Sequence, residues 1–165
     1  MKRMVRAIGL SAFAVSLPAV ADENLVTYKA MTPEVALELA QGALAACRKE
    51  GFQVAVAVVD RFGLTQVLLR DRFAGAHTPR TAEGKAWTAV SFRTPTLELN
   101  KLTQAGQEMS GLRHLPRVVT IGGGLIVEAG GSIVGGVGVS GAPGGEADER
   151  CAKAGVKAVE AKLEF

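Results

Sequence analysis

Apolar residues recur along this chain at two spacings, and the switches between them mark the elements. Ala36, Ala40, Ala43 and Cys47 stand four, three and four positions apart, the spacing of one helix face. Thr32 and Pro33 supply a hydroxyl cap and a first-turn proline for that helix, and Gly51 supplies its stop. From Phe52 the period drops to two, with Val54, Val56 and Val58 alternating with Ala55, Ala57 and Val59. A strand that is apolar on both sides is a strand covered on both faces. Asp60 and Gly63 bound a turn, and residues 64–70 predict a second strand returning beside the first.

After a loop over residues 71–78, Thr78-Pro79 repeats the cap-then-proline start of a helix that runs to Phe92. Ala82, Ala86, Ala89 and Val90 form its apolar face, and Thr81, Lys85, Thr88 and Phe92 a neighbouring mixed one. Thr94-Pro95 opens a short helix, the stretch 103–113 is polar and irregular, and residues 118–121 predict a third strand. Two apolar runs, 125–129 and 132–140, flank Gly130-Gly131, the residue pair that a two-residue primed hairpin turn demands. Glycines inside the second run weaken a strand unless a helix or a ligand comes close to the backbone there. The last helix, residues 146–163, turns Ala147, Cys151, Ala154, Gly155, Ala158 and Val159 inward. Hairpins with two-sided apolar strands predict an α+β fold: an antiparallel sheet of about five strands sandwiched between helical layers.

Composition changes this picture at the N-terminus. Lys2, Arg3 and Arg6, an apolar stretch over residues 7–17 and Ala19-Val20-Ala21 read as a signal peptide over residues 1–21. The apolar run is shorter than the roughly 20 residues that span a bilayer. The expected mature chain, residues 22–165, is one domain in a periplasmic or secreted location. Three of the 19 basic side chains fall in the leader, leaving 16 against 16 acidic ones. That balance speaks against nucleic acid or an anionic membrane as partner, both of which call for a basic patch. Gly136-Val-Gly-Val-Ser-Gly141 matches the letters of a dinucleotide loop. The following helix nevertheless opens on Glu146, Asp148 and Glu149, which would repel a pyrophosphate, and no second strand follows.

Candidate chemistry is sparse. Cys47 and Cys151 sit on inward helix faces, where an exported protein holds either a disulfide or two buried thiols. His77 stands just before a helix start, beside Arg72, Arg80 and Lys85, a setting that suits an anionic group. His114 lies between Arg113 and Arg117. No Ser elbow, catalytic triad or metal-ligand spacing emerges, so the residues predict no catalytic group of their own.

Several segments carry a resemblance in a fixed order: Val56-Ala-Val-Val-Asp60 with Gly63, Arg70 before Ala74-Gly75, and Lys85-Ala-Trp-Thr-Ala89. Arg93-Thr-Pro-Thr96, Gly122-Gly-Gly124, Val134-Gly-Gly-Val-Gly-Val-Ser-Gly141 and Asp148-Glu-Arg-Cys-Ala-Lys-Ala-Gly155 complete it. Together they resemble the GlcG/HbpS haem-binding-protein-like family, which includes the C-terminal domain of PduO-type proteins. The resemblance implies an α/β sandwich on an antiparallel sheet and a homo-oligomer, with haem near a subunit interface in some members and an axial ligand that varies among them. Gly123-Gly124-Leu125-Ile126 departs from the family's Gly-Gly-x-Pro-Ile, and Lys85 with Thr88 matches its Lys-Ala-x-Thr-Ala pattern.

The expectation is therefore an exported protein binding non-covalent b-type haem in a sensing, storage or protective role. His77 would hold the iron, Arg80 or Lys85 the propionates, and Thr88 would line the pocket. With few aromatic residues, the site should be shallow or shared between subunits. Any peroxidatic activity would depend on the haem. The alternative is a non-catalytic module for a small organic acid or corrinoid-related ligand, recognised by the Gly-rich loops and Arg93, Arg113 or Arg117.

Overall fold

The computed structural model describes residues 24–164, so the predicted leader lies outside the described residues. Four strands, β1 (Ala55–Asp60), β2 (Thr65–Arg70), β3 (Gly124–Ala129) and β4 (Ser132–Ser140), form one antiparallel sheet in the order β2-β1-β4-β3. Helices α1 (Pro33–Lys49) and α4 (Gly145–Leu163) cover one face, and α2 (Thr78–Phe92) covers the other. A short α3 (Thr96–Leu102) and a 3-10 helix over Glu108–His114 follow α2. The α+β sandwich is as predicted, with one strand fewer.

The two-sided character of β1 comes from this layering. Val54, Val56 and Val58 pack with Leu39, Ala43 and Val159 of the α1/α4 layer. Ala55 and Ala57 meet Ala82 of α2, and Val59 meets Ala86 and Val90. Each residue of the alternating pattern thus has a helical neighbour, which explains why the strand is buried from Ala55 to Val59.

The missing strand is residues 118–121. Val118 N–H turns back to Leu115 O at 3.3 Å, and side chains rather than a neighbouring strand take the next backbone groups. Val119 N–H donates to Thr88 Oγ1 at 2.9 Å, Thr120 O accepts from Asn100 Nδ2 at 2.7 Å, and Ile121 O accepts from Thr96 Oγ1 at 2.7 Å. Arg117, just ahead, has φ 71°, so the chain enters this segment from a left-handed bend rather than an extended run.

The hairpin is as the sequence implies, with Gly130 and Gly131 at φ 53° and 73°, both positive as a type I′ turn requires. The glycines of β4 admit α2. A Cβ on Gly138 would lie 2.0 Å from the Ala82 carbonyl oxygen and 2.7 Å from the Ala86 nitrogen. On the other side of the sheet, a Cβ on Gly155 of α4 would meet the Leu39 carbonyl at 2.7 Å. There a disulfide joins Cys47 of α1 to Cys151 of α4, 104 residues apart.

Candidate functional site

The loop between β2 and α2 is tied down by its own backbone and by Arg70. Ala74 N–H donates to Asp71 O at 3.1 Å, and Arg70 Nη1 donates to Ala74 O at 2.6 Å. Asp71 is held in turn by Arg48 Nε at 2.8 Å. At the far end, Thr78 Oγ1 donates to Gly75 O at 2.7 Å. The loop is short, closed and anchored to α1, and it presents whatever it does not bury.

What it presents is His77, Phe73, Arg72 and, one turn into α2, Arg80, all exposed. His77 precedes the helix, and its carbonyl accepts from Thr81 N–H at 3.1 Å and Thr81 Oγ1 at 3.0 Å. Its side chain makes no capping bond and takes no partner among the described residues. The ring lies over Gly75, where an added Cβ would meet Nδ1 at 2.9 Å and Cε1 at 2.8 Å. Phe73 is 79% exposed, a high value for a large aromatic ring and one that pattern reading passed over, since an isolated Phe in a loop has no periodicity. An imidazole with both nitrogens uncommitted, an arginine and an exposed ring are thus carried by one anchored segment.

Lys85 and Thr88 go elsewhere. Lys85 is only 1% exposed. Its ammonium donates to Asp148 Oδ2 at 2.7 Å and to Val139 O at 2.9 Å, while Asp148 Oδ1 accepts from Ala142 N–H at 3.0 Å. Burial pulls the Lys85 pKa down, and the Asp148 charge partly restores it. Burial likewise pushes the Asp148 carboxyl up, against the Lys85 charge and the backbone donors. Thr88 is buried and accepts from Val119 N–H. Both side chains therefore stitch α2 to α4, β4 and the segment before β3. The structure separates the four sequence-predicted residues into an exposed pair, His77 and Arg80, and an interior pair, Lys85 and Thr88. Asp148, the partner of Lys85, was visible from sequence only as an acid in the first turn of the last helix, because 63 residues separate the two.

His114 ends the 3-10 helix and is exposed. Arg113 beside it donates from Nε to Thr103 O at 2.6 Å and from Nη2 to Asn100 O at 3.0 Å, a bracing role. Arg117 stacks on Trp87, with the guanidinium carbon 4.8 Å from the ring centroid. Among the described residues no group of three His, Cys, Asp or Glu could hold a bare metal ion, and no helix is long and apolar enough to cross a membrane.

Residues 31–157 match the family model described as "Haem degrading protein HbpS-like". The chain belongs to the HbpS-like family. Among solved structures it is similar to HbpS, at 43% identity over 84% of this chain and 96% of that one with a TM-score of 0.76. A double mutant of Streptomyces reticuli HbpS gives the same TM-score, at 41% identity over 87% and 97% of the two chains. The PduOC–haem complex matches with 34% identity over 78% of this chain and 94% of that one, TM-score 0.74. A curated relative, the corrinoid adenosyltransferase PduO of Salmonella typhimurium, is 37% identical over 63% of this chain. The HbpS-like chain described here spans about a third of that relative's length, 32%.

Proposed function

We propose that this HbpS-like protein binds haem at the loop that opens α2, where His77 would hold the iron. The observation that carries the reading is likeness to a haem-complexed relative, PduOC, across nearly all of that chain. The residues on the loop fit such a group. The His77 imidazole is exposed and uncommitted, Arg80 offers a guanidinium to a propionate, and Phe73 offers an unburied ring to the porphyrin. Bound haem would supply an iron centre able to take an exogenous ligand or an electron. The protein's part is to hold the imidazole and the cations in place.

Lys85 and Thr88, both buried, do not reach that site. They fix α2 against α4 and the segment before β3, and with it the loop on which His77 is mounted. An open surface carrying an imidazole on one side only favours a haem shared between copies of the chain, hence a homo-oligomer. The leader-like residues 1–21 and the Cys47–Cys151 bridge support export to an oxidising compartment, the periplasm or outside the cell. In that location haem storage, sensing or protection are the roles that binding alone serves.

Titration with haem followed by absorbance tests the assignment. The protein should show a saturable Soret shift, and His77→Ala should lose it or move it, with a weakening of tenfold or more. An unchanged Soret band and affinity in the variant would remove His77 from the site. Weak, unsaturable uptake by both proteins would remove haem as the ligand.

A further inference from the structure

On the α2 side of the sheet, away from His77, a cleft of about 550 Å³ opens between the β1–β2 turn, the end of α2 and the β3–β4 hairpin. Its apolar wall is Val90, Ile126 and Ile133, and two arginines, Arg61 and Arg93, face into it. Neither arginine makes an ion pair or a hydrogen bond from its side chain to any described residue, whereas Arg48, Arg70 and Arg113 all do. Two guanidinium groups and one carboxylate, Glu128, line the cleft beside the apolar wall, which leaves a net positive charge there.

Arg61 is held through its side chain and Arg93 through its backbone. The Arg61 guanidinium carbon lies 5.1 Å from the Tyr28 ring centroid and 5.6 Å from that of Phe62. Those two rings meet edge to face at 5.1 Å. Stacking occupies the flat faces of a guanidinium and leaves its N–H edges free for a bidentate anion. Arg93 closes α2 in the left-handed conformation, φ 52° and ψ 37°, with its backbone N–H on Ala89 O and Val90 O. Glycine is the usual occupant of such a position. A bulky cation kept there carries backbone strain, and strain of this kind gathers at ligand sites.

We propose that this cleft binds a short dicarboxylate, with one carboxylate on Arg61 and the other on Arg93. The aliphatic stem lies over Val90, Ile126 and Ile133. Glu128, the carboxylate on the hairpin wall, accepts a hydrogen bond from a hydroxyl or ammonium carried on that stem. The class is thus a short hydroxy- or amino-dicarboxylate, for which malate is the probe. This site is separate from the haem loop and does not depend on it.

Isothermal titration of the full protein with malate as probe tests the site, with propionate as a one-carboxylate control. Malate should bind saturably and propionate at least tenfold more weakly. Arg93→Gly and Arg61→Ala should each weaken malate at least tenfold, since each removes a charge-assisted bidentate contact. Glycine accepts the left-handed position without strain, so Arg93→Gly should melt at the same temperature or higher. That outcome separates loss of the site from loss of the fold. The haem absorbance of Arg93→Gly should match that of the parent protein. No saturable heat up to about 20 mM malate, or undiminished binding in Arg93→Gly, would overturn the proposal. Loss of the Soret shift in Arg93→Gly would overturn it too, because the cleft would then belong to haem.

Discussion

The two faces of the sheet are sealed by different physics. On one, α1 and α4 lie against Val54, Val56, Val58, Val137 and Val139 in a continuous apolar core. Gly42 and Gly155 let the two helices touch, and a covalent bridge ties them. On the other, α2 rests on bare backbone at Gly124, Gly136 and Gly138 and is held by directed polar contacts: Lys85 to Asp148, Thr88 to Val119. The His77 loop and the Arg61–Arg93 cleft both adjoin α2. Placing polar fastenings under one helix positions its ends to the accuracy of a hydrogen bond, and ligand-binding side chains need that accuracy.

Three perturbations sharpen this contrast, beginning with the largest. Opening the bridge with Cys47→Ala/Cys151→Ala removes a cross-link between residues 104 apart. A closed loop of that length corresponds to about 4–5 kcal/mol in the chain-entropy account. Urea unfolding should show a loss of that order with the haem spectrum kept, because the double variant leaves in place the Arg48–Asp71 contact that anchors the His77 loop to α1. A spectrum lost along with stability would mean that the two layers are not independent.

Breaking the ion pair comes next. Lys85→Met leaves the Asp148 carboxylate buried without its partner and should destabilise by about 3–5 kcal/mol, whereas Lys85→Met/Asp148→Leu should recover most of the loss. Failure of the double variant to recover would show that the pair is worth more than its replacement. The pair should also leave a mark in pH. Lys85 is held below 10.5 in the folded state, so the unfolded chain keeps that proton longer. Stability from this group therefore rises as pH climbs toward 10.5. Asp148, raised above 3.8, gives the opposite slope, losing stability as pH rises from 3.8. Both slopes should vanish in the double variant, as urea unfolding across pH would show.

The third perturbation tests the close approach. Gly138→Ala sets a methyl 2.0 Å from the Ala82 carbonyl, and should destabilise by about 3 kcal/mol, the upper part of the overpacking range. Gly131→Ala, whose Cβ meets nothing within 4 Å but whose φ is +73°, should lose about 1 kcal/mol through strain alone. Equal losses at the two positions would mean that α2 can back away from the sheet.

Much of this was legible in the chain. Helix starts at Thr32-Pro33 and Thr78-Pro79, the Gly130-Gly131 turn and the two-sided β1 are local features, fixed by capping groups, allowed φ and side-chain period. The glycines of β4 announced a close neighbour, and the neighbour is α2. Residues 118–121 misled, since Val-Val-Thr-Ile has strand composition while its hydrogen bonds go to Thr88, Asn100 and Thr96. Composition sees propensity, and a strand also needs a neighbour.

The candidate site divides along the same line. Sequence alone determined that His77 precedes a helix among cations and that Lys85 and Thr88 share one face of that helix, because helical period is a local rule. Tertiary structure decided that Lys85 turns inward to an acid 63 residues away, that Thr88 binds a distant backbone N–H, and that Arg61 and Arg93 meet at one cleft. Those outcomes depend on which elements the sheet brings side by side. Burial, which alone makes an unpaired charge costly, exists only once the layers have closed.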